Sequence, residues 1–307
     1  MKKLKYFYWL FCLFLKSFKS YRKEFLYFSN GKKRPLDEGL LIRKRGHHLE
    51  RILFHQAAYS NDFKEMIVNE LEYLLYHNKD ISENAYYKWA SRILSEYRNK
   101  SFGGQCPNII SGKTDDIVTD IKTQKLLKLM RNRRSRRLFL DIPLSASEKK
   151  VIIEAALQAP SSCNRQTLHF LFIEDRSIKA LIAKTVPGGK EFFESAPTLL
   201  VILSYGVDCR YPDDRHVPWI DSAAAVQNIL LICETMGIGC CWGSYTSFGS
   251  VVKENMVRRV LKIPNEFVIT ACLALGKSSQ KVCYIPRVGF DERIHTNVFK
   301  KNQAIGS

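Results

Sequence analysis

The sequence predicts an α+β fold behind a helical extension, and three observations predict it. Helical apolar spacing without strand signals fills the region before residue 98. From about residue 118, short apolar runs bounded by charged or turn residues are interspersed with helical patterns. Those runs do not recur as a regular βαβ repeat, which favours a mixed sheet flanked by helices over a doubly wound one. The chain therefore divides into a basic aromatic arm at 1–30, a helical extension with its linker at 31–117, and the main domain at 118–307.

With 307 residues, 46% hydrophobic and 25% charged, the chain can bury a sizeable core and is not broadly disordered. The formal net charge of +18 points to an anionic partner: nucleic acid, an acidic membrane surface or a phosphorylated ligand. Residues 1–50 hold thirteen Lys/Arg against four Asp/Glu, so 13 − 4 = +9, half the excess, sits in the first sixth of the chain. No nucleic-acid module accompanies this charge, and no nucleic-acid partner is expected. The nine cysteines contain no C-x-x-C pair, and no Cys or His stands at zinc-ligand spacing from Cys240-Cys241, so no metal site is expected. Scattered thiols in apolar segments fit a reducing, cytoplasmic setting.

In the arm, the apolar run Tyr6 to Leu15 lies between Lys2, Lys3 and Lys5 and Lys16 and Lys19. It is shorter than the roughly 20 residues needed to cross a bilayer, and no small-residue cleavage site follows it. Residues 1–20 fit either an interfacial helix, peripheral on the inner face of an anionic membrane, or an arm packed on the protein or a partner subunit. Gly31 to Pro35 breaks the chain into a linker. Helices are then predicted at 47–59, at 63–77 and at 83–97, the last capped by Ser82, before a Gly/Pro-containing loop at 99–117.

The main domain opens with a helical pattern from Ile121 to Met130. Ser145 with Glu148 forms a capping box for a helix to about Gln158, stopped by Ala159-Pro160. Strands are predicted at 168–173, 198–203, 240–245 and 267–275, and an apolar helix from Asp221 to Gly237. Gly237-Ile238-Gly239 lacks the third glycine of a dinucleotide fingerprint and follows a helix rather than a strand. Neither a phosphate-binding P-loop nor a G-x-S-x-G elbow is present, so nothing points to hydrolysis.

Two stretches carry the chemistry. Arg133-Arg134-Ser135-Arg136-Arg137 places four guanidinium groups around one hydroxyl, a donor set that can meet a phosphate with forked, charge-assisted hydrogen bonds. Pro160-Ser161-Ser162-Cys163-Asn164-Arg165-Gln166 follows about one helix later.

With Asp141-Ile142-Pro143, Ala196-Pro197, and Asp221 to Gly239 leading to Cys241-Trp242-Gly243, these stretches resemble the flavin-dependent nitroreductase family over roughly residues 120–298. The region around His48-Leu49-Glu50-Arg51 is loosely similar to an extension on some members. The resemblance implies non-covalent FMN in a homodimer. Arg133, Arg134 and Ser135 would lie at the phosphate and ribityl chain, and Arg137 at the flavin N1 and O2 edge, where a fixed cation favours the reduced ring. Pro160, Ser161, Ser162, Asn164 and Gln166 match the loop over the ring, often supplied by the partner subunit. Trp242 and Gly243 match the N5 and O4 edge, although plain core packing also accounts for Trp242. Arg287 matches a late phosphate contact. NADH or NADPH would donate a hydride to flavin N5, and the electrons would pass to a nitro compound, quinone or other small acceptor in a ping-pong cycle. No side chain need act as a catalytic acid or base. The alternative is a membrane-surface flavoprotein that keeps the fold with little turnover. Thr167 and Leu168 replace a Pro and an aromatic residue of the family pattern, and Arg136 a commonly apolar one.

Overall fold

The computed structural model describes residues 11, 15, 38–55, 60–99, 120–185, 189–205, 216–244, 251–281, 285–289 and 293–299. The chain divides into a sheet unit containing Val118–Gln280, to which Met1–Ser29 are assigned, and a helical unit of Asn30–Ile117 with Lys281–Ser307. Apart from the exposed Phe11 and Leu15, the basic arm lies outside the described residues, as does nearly all of the predicted loop at 99–117. Among the described residues, no helix is long and apolar enough to cross a membrane.

The helical unit contains α1 (Glu38–His55), α2 (Asn61–His77) and α3 (Ala85–Arg98). Ile42, Leu49 and Leu53 of α1, Ile67, Leu71 and Leu74 of α2, and Trp89 and Ile93 of α3 recur every three or four residues and form one buried cluster. Ile285 packs on that cluster, which explains why the C-terminal segment groups with the helices. Inside α1, buried Glu50 pairs with His47 at 2.8 Å, and Arg45 bonds Glu70 of α2 at 2.7 Å. Burial, then the charges of Arg45, His47, Lys44 and Arg51, lowers the His48 pKa to about 4. Ser82 does not cap α3: its N–H bonds the Lys79 carbonyl at 3.1 Å, closing a short 3-10 turn at Lys79–Ile81, and Asn84 stands at the helix start.

The sheet unit is built on β1 (Leu168–Ile173), β2 (Thr198–Tyr205), β3 (Ile238–Ser244) and β4 (Phe267–Lys277), in the order β1-β2-β4-β3 with every neighbouring pair antiparallel. A parallel bridge from Ser135 to Cys240 extends the β3 edge. Helices cover both faces, so β2 is buried from Thr198 to Ser204 and reads as a continuous apolar run. Alternation divides its side chains: Leu199, Val201 and Leu203 meet α6 (Arg176–Thr185), α7 (Lys190–Ser195) and α9 (Val251–Leu261), while Leu200 and Ile202 meet α5 (Ala146–Leu157) and α8 (Val217–Thr235). The order is completed by α4 (Ile121–Asn132), which precedes the arginine segment.

In β4 the alternation changes phase. Leu203 pairs with Ile269 and Ile202 with Ala271, leaving Thr270 as the extra residue of a bulge. Ile269 therefore faces one core and Ala271 the other. The Thr270 hydroxyl donates to the Ile202 carbonyl at 3.1 Å and accepts from Ser222 of α8 at 2.7 Å, so the bulge fixes the start of that helix. A second close approach occurs at Gly276, where a Cβ would stand 2.6 Å from the Pro197 ring and 3.3 Å from Phe139.

The capping box forms at α5: the Ser145 hydroxyl accepts from the Glu148 N–H at 3.2 Å, and the Glu148 carboxylate accepts from the Ser145 N–H at 2.9 Å. The same carboxylate accepts from Lys277 at 2.5 Å, tying α5 to the end of β4. The Lys277 bond, then the Ser145 N–H, holds the Glu148 pKa below the usual carboxylate range. A depressed folded pKa contributes stability above the unfolded pKa and loses it as pH falls through the folded one. Glu148→Gln should therefore lower the urea midpoint at pH 7, and its midpoint should converge with that of the unmodified protein once acid has protonated Glu148.

Candidate functional site

Helix α4 begins at Asp120, whose carboxylate accepts from the Thr123 N–H at 2.8 Å, and ends at Arg133, whose backbone turns extended at φ −55°, ψ 124°. Beyond it the chain runs along the edge of β3. The Arg136 N–H bonds the Cys240 carbonyl at 3.0 Å, and the Leu140 N–H bonds the Lys277 carbonyl at 2.8 Å. Between them the side chain of Gln280, itself buried, accepts from the N–H groups of Arg137 at 2.7 Å and Leu138 at 3.0 Å. The Ser278 hydroxyl donates to the Leu138 carbonyl at 2.6 Å. This approach requires a glycine in β3: a Cβ on Gly239 would lie 2.8 Å from the Ser278 Cβ and 3.2 Å from the Arg136 Cβ.

The four arginines separate into two kinds. Arg134 donates to the carbonyls of Arg131 and Arg133, the latter at 2.8 Å, and so neutralises the negative end of α4. Arg136 donates to the Gln280 carbonyl at 2.9 Å and pairs with Glu234 at 3.4 Å. Both are occupied with holding the fold. The guanidinium groups of Arg133 and Arg137 form no hydrogen bond or ion pair among the described residues, and the two residues flank Ser135 on the same extended segment. Burial, then a hydrogen bond from Cys233, pushes the Cys240 thiol well above its ordinary pKa, and the nearby Arg133 charge offsets this in small part.

The second stretch forms a tight 3-10 turn at Ser162–Asn164, and three non-glycine residues in and just after it take positive φ: Cys163 at 52°, Asn164 at 52° and Gln166 at 50°. Each such residue costs on the order of 1–3 kcal/mol, and such strain concentrates at functional loops. Some of its restraints are local. The Ser161 hydroxyl accepts from the Gln166 N–H at 3.1 Å, and Gln166 Nε2 donates to Asn164 Oδ1 at 2.9 Å. From outside the loop, the buried carboxylate of Asp221 accepts the Ser162 N–H with both oxygens, at 3.1 and 3.2 Å. Pro160, Cys163, Asn164 and Gln166 are exposed, while Ser161 and Ser162 are half-buried.

Both stretches are thus held by acids of one helix. Asp221 lies near the start of α8 and Glu234 near its end, thirteen residues apart, so the two anchors are about 20 Å apart along the helix axis. Trp242 projects from the edge strand 41% exposed, which excludes plain core packing, and Gly243 is buried opposite Cys272. Arg287 is exposed and belongs to the helical unit. Sequence reasoning missed Gln280, which sits in a polar run that reads as surface. It took Asp221 as a helix start, whereas the helix begins at Val217 with Pro218 in its first turn. A buried acid at the start of a run of apolar residues was the available signal.

A sequence model described as the nitroreductase family matches residues 130–188 and 179–277. A relative in Archaeoglobus fulgidus, described as a putative NADH dehydrogenase/NAD(P)H nitroreductase, is 31% identical over 156 residues, covering 50% of this chain and 85% of the relative. The chain belongs to the nitroreductase family. A Vibrio harveyi relative described as an NADPH-flavin oxidoreductase is 25% identical over 177 residues, covering 55% of this chain and 72% of its own. Among solved structures, a putative NADH dehydrogenase/NAD(P)H nitroreductase from Parabacteroides distasonis superposes with a TM-score of 0.51 at 24% identity, over 57% of this chain and 99% of that one. An FMN-dependent nitroreductase from Clostridium difficile gives 0.50 at 23%, over 56% and 99%. Both likenesses show the nitroreductase fold in the sheet unit.

Two predictions follow from how the segments are anchored. Gly239→Ala should destabilise the protein by about 1–3 kcal/mol in chemical denaturation, because neither neighbouring Cβ is the far end of a flexible chain. Asp221→Ala removes the external acceptor for Ser162 at a cost of about 1–3 kcal/mol. Limited proteolysis should then cleave between Pro160 and Gln166 faster than in the unmodified protein.

Proposed function

We propose that this chain is an FMN-dependent NAD(P)H oxidoreductase acting on a small nitro, quinone or similar acceptor. The observation that carries the reading is the division of the arginines: Arg134 and Arg136 are engaged by the fold, while Arg133 and Arg137 are left beside the Ser135 hydroxyl. Two guanidinium groups and a hydroxyl on one extended segment suit a phosphorylated cofactor. Bound FMN would supply a centre that accepts a hydride from NADH or NADPH and passes the electrons on in a ping-pong cycle.

The chain's own residues then have definable roles. Arg133 and Ser135 hold the phosphate end, while Arg137 presents a fixed positive charge to the edge of the ring that becomes negative on reduction. Trp242 and Gly243 form part of the wall at the reactive edge. The loop Pro160 to Gln166 bears hydrogen-bonding groups on short side chains and covers the ring without filling the acceptor space. No acid or base is required of the protein, which contributes position, charge and exclusion of water.

A homodimer completes this arrangement. Because the loop and the arginine segment are anchored about 20 Å apart on α8, a loop from a second copy is better placed to cover the ring than the loop of the same copy. The exposed Ile121, Leu126 and Met130 of α4 offer apolar surface for that contact.

The test is the visible absorption spectrum of the purified protein, followed by anaerobic addition of NADH and of NADPH. A two-banded flavin spectrum that bleaches supports the reading, whereas no uptake of added FMN rejects it. Arg133→Ala should weaken FMN binding by about 10- to 100-fold in a fluorescence titration, the worth of one charged hydrogen bond.

A further inference from the structure

Arg137 is held in place through its backbone. The segment from Arg136 to Leu140 has no strand ladder of its own; its backbone polar groups are met one at a time by the ends of β3 and β4. At Arg137 and Leu138 the acceptor is a single side-chain oxygen, Gln280 Oε1, at 2.7 and 3.0 Å. The main chain of Gln280 serves the preceding residue as well, since its carbonyl accepts from the Arg136 guanidinium at 2.9 Å. Gln280 is in turn fixed: its N–H bonds the Ser278 hydroxyl at 3.2 Å, which donates to the Leu138 carbonyl at 2.6 Å. With the residue 7% exposed, water has little access to replace the acceptor. One buried amide therefore fixes the backbone from which the uncommitted Arg137 side chain projects.

We propose that Gln280 is a positioning residue for Arg137, and that through it Gln280 raises the preference of the site for reduced over oxidised FMN. The proposal rests on the flavin reading given above. Arg137 acts through charge, and a charge contributes only at a fixed distance from the atoms where negative charge develops. Loosening the Arg137 and Leu138 N–H groups lets the guanidinium move toward water, where the same charge is screened.

The experiment uses full-length protein and Gln280→Met, which keeps the length of the side chain and removes its carbonyl acceptor. Two readouts are taken. In protein free of FMN, hydrogen exchange at the Arg137 and Leu138 amides should be at least tenfold faster in the variant. In protein loaded with FMN, the ratio of affinities for reduced and oxidised flavin should fall about tenfold, a drop of about 30 mV in the two-electron potential. The same substitution is made in an Arg137→Gln background, where Gln280→Met should cause no further shift in potential. An unchanged potential in the single variant overturns the proposal. So does an equal shift in both backgrounds, which would show an effect that bypasses Arg137. Unmodified protein that takes up no FMN overturns it together with the flavin reading, and is told apart from the other failures because only there does the exchange measurement alone respond.

Discussion

Burial of α8 against the sheet is the constraint on which the rest of the sheet unit depends. Ala225, Val226, Ile229 and Cys233 have lost contact with water along its inner face, with Leu230 nearly so, and Leu200, Ile202, Ala271 and Leu273 receive them. At 25 cal/mol per Å², burial on this scale far outweighs any single polar contact made nearby. The helix is therefore rigid enough to carry acids at both ends. Asp221 holds a strained loop, and Glu234 shares the Arg136 guanidinium with the Gln280 carbonyl.

This division of labour explains why the arginine run resists a simple reading. Four like charges within five residues repel one another unless some are neutralised. Arg134 is spent on the carbonyl end of α4, where a cation is favoured, and Arg136 on Glu234. The two guanidinium groups that make no bond among the described residues are those of Arg133 and Arg137. Arg136, unusual in composition at its position, is accounted for by the acid placed opposite it.

Much of the fold was legible in local pattern. The capping box at Ser145 and Glu148, the ends of β1 and the starts of β2 and β4 follow from cap chemistry and from apolar runs bounded by charge. Helices α6, α7 and α9 were not legible: α7 has only six residues, and all three carry charge close to their few apolar contacts. Helix α1 starts at Glu38, nine residues before the periodic signal, because Arg43, Lys44 and Arg45 dilute the apolar pattern around Ile42. The candidate site divides in the same way. Its residue types were visible in the two motifs, but the roles of Arg136 and Gln280 depend on partners 98 and 144 residues away, which no local pattern encodes.

Thr270 has a consequence for chain length. Because it is the extra residue of β4, odd and even positions exchange sides as the strand passes it. The parity set there is carried through Ala271 to Lys277, just before Ser278 and Gln280, which meet the arginine segment. Removing one residue before the bulge would alter the pairing with β2, while removing one after it would present the wrong members of the polar run to Arg137 and Leu138. The number of residues between Thr270 and Gln280 thus sets which polar groups reach the arginine segment.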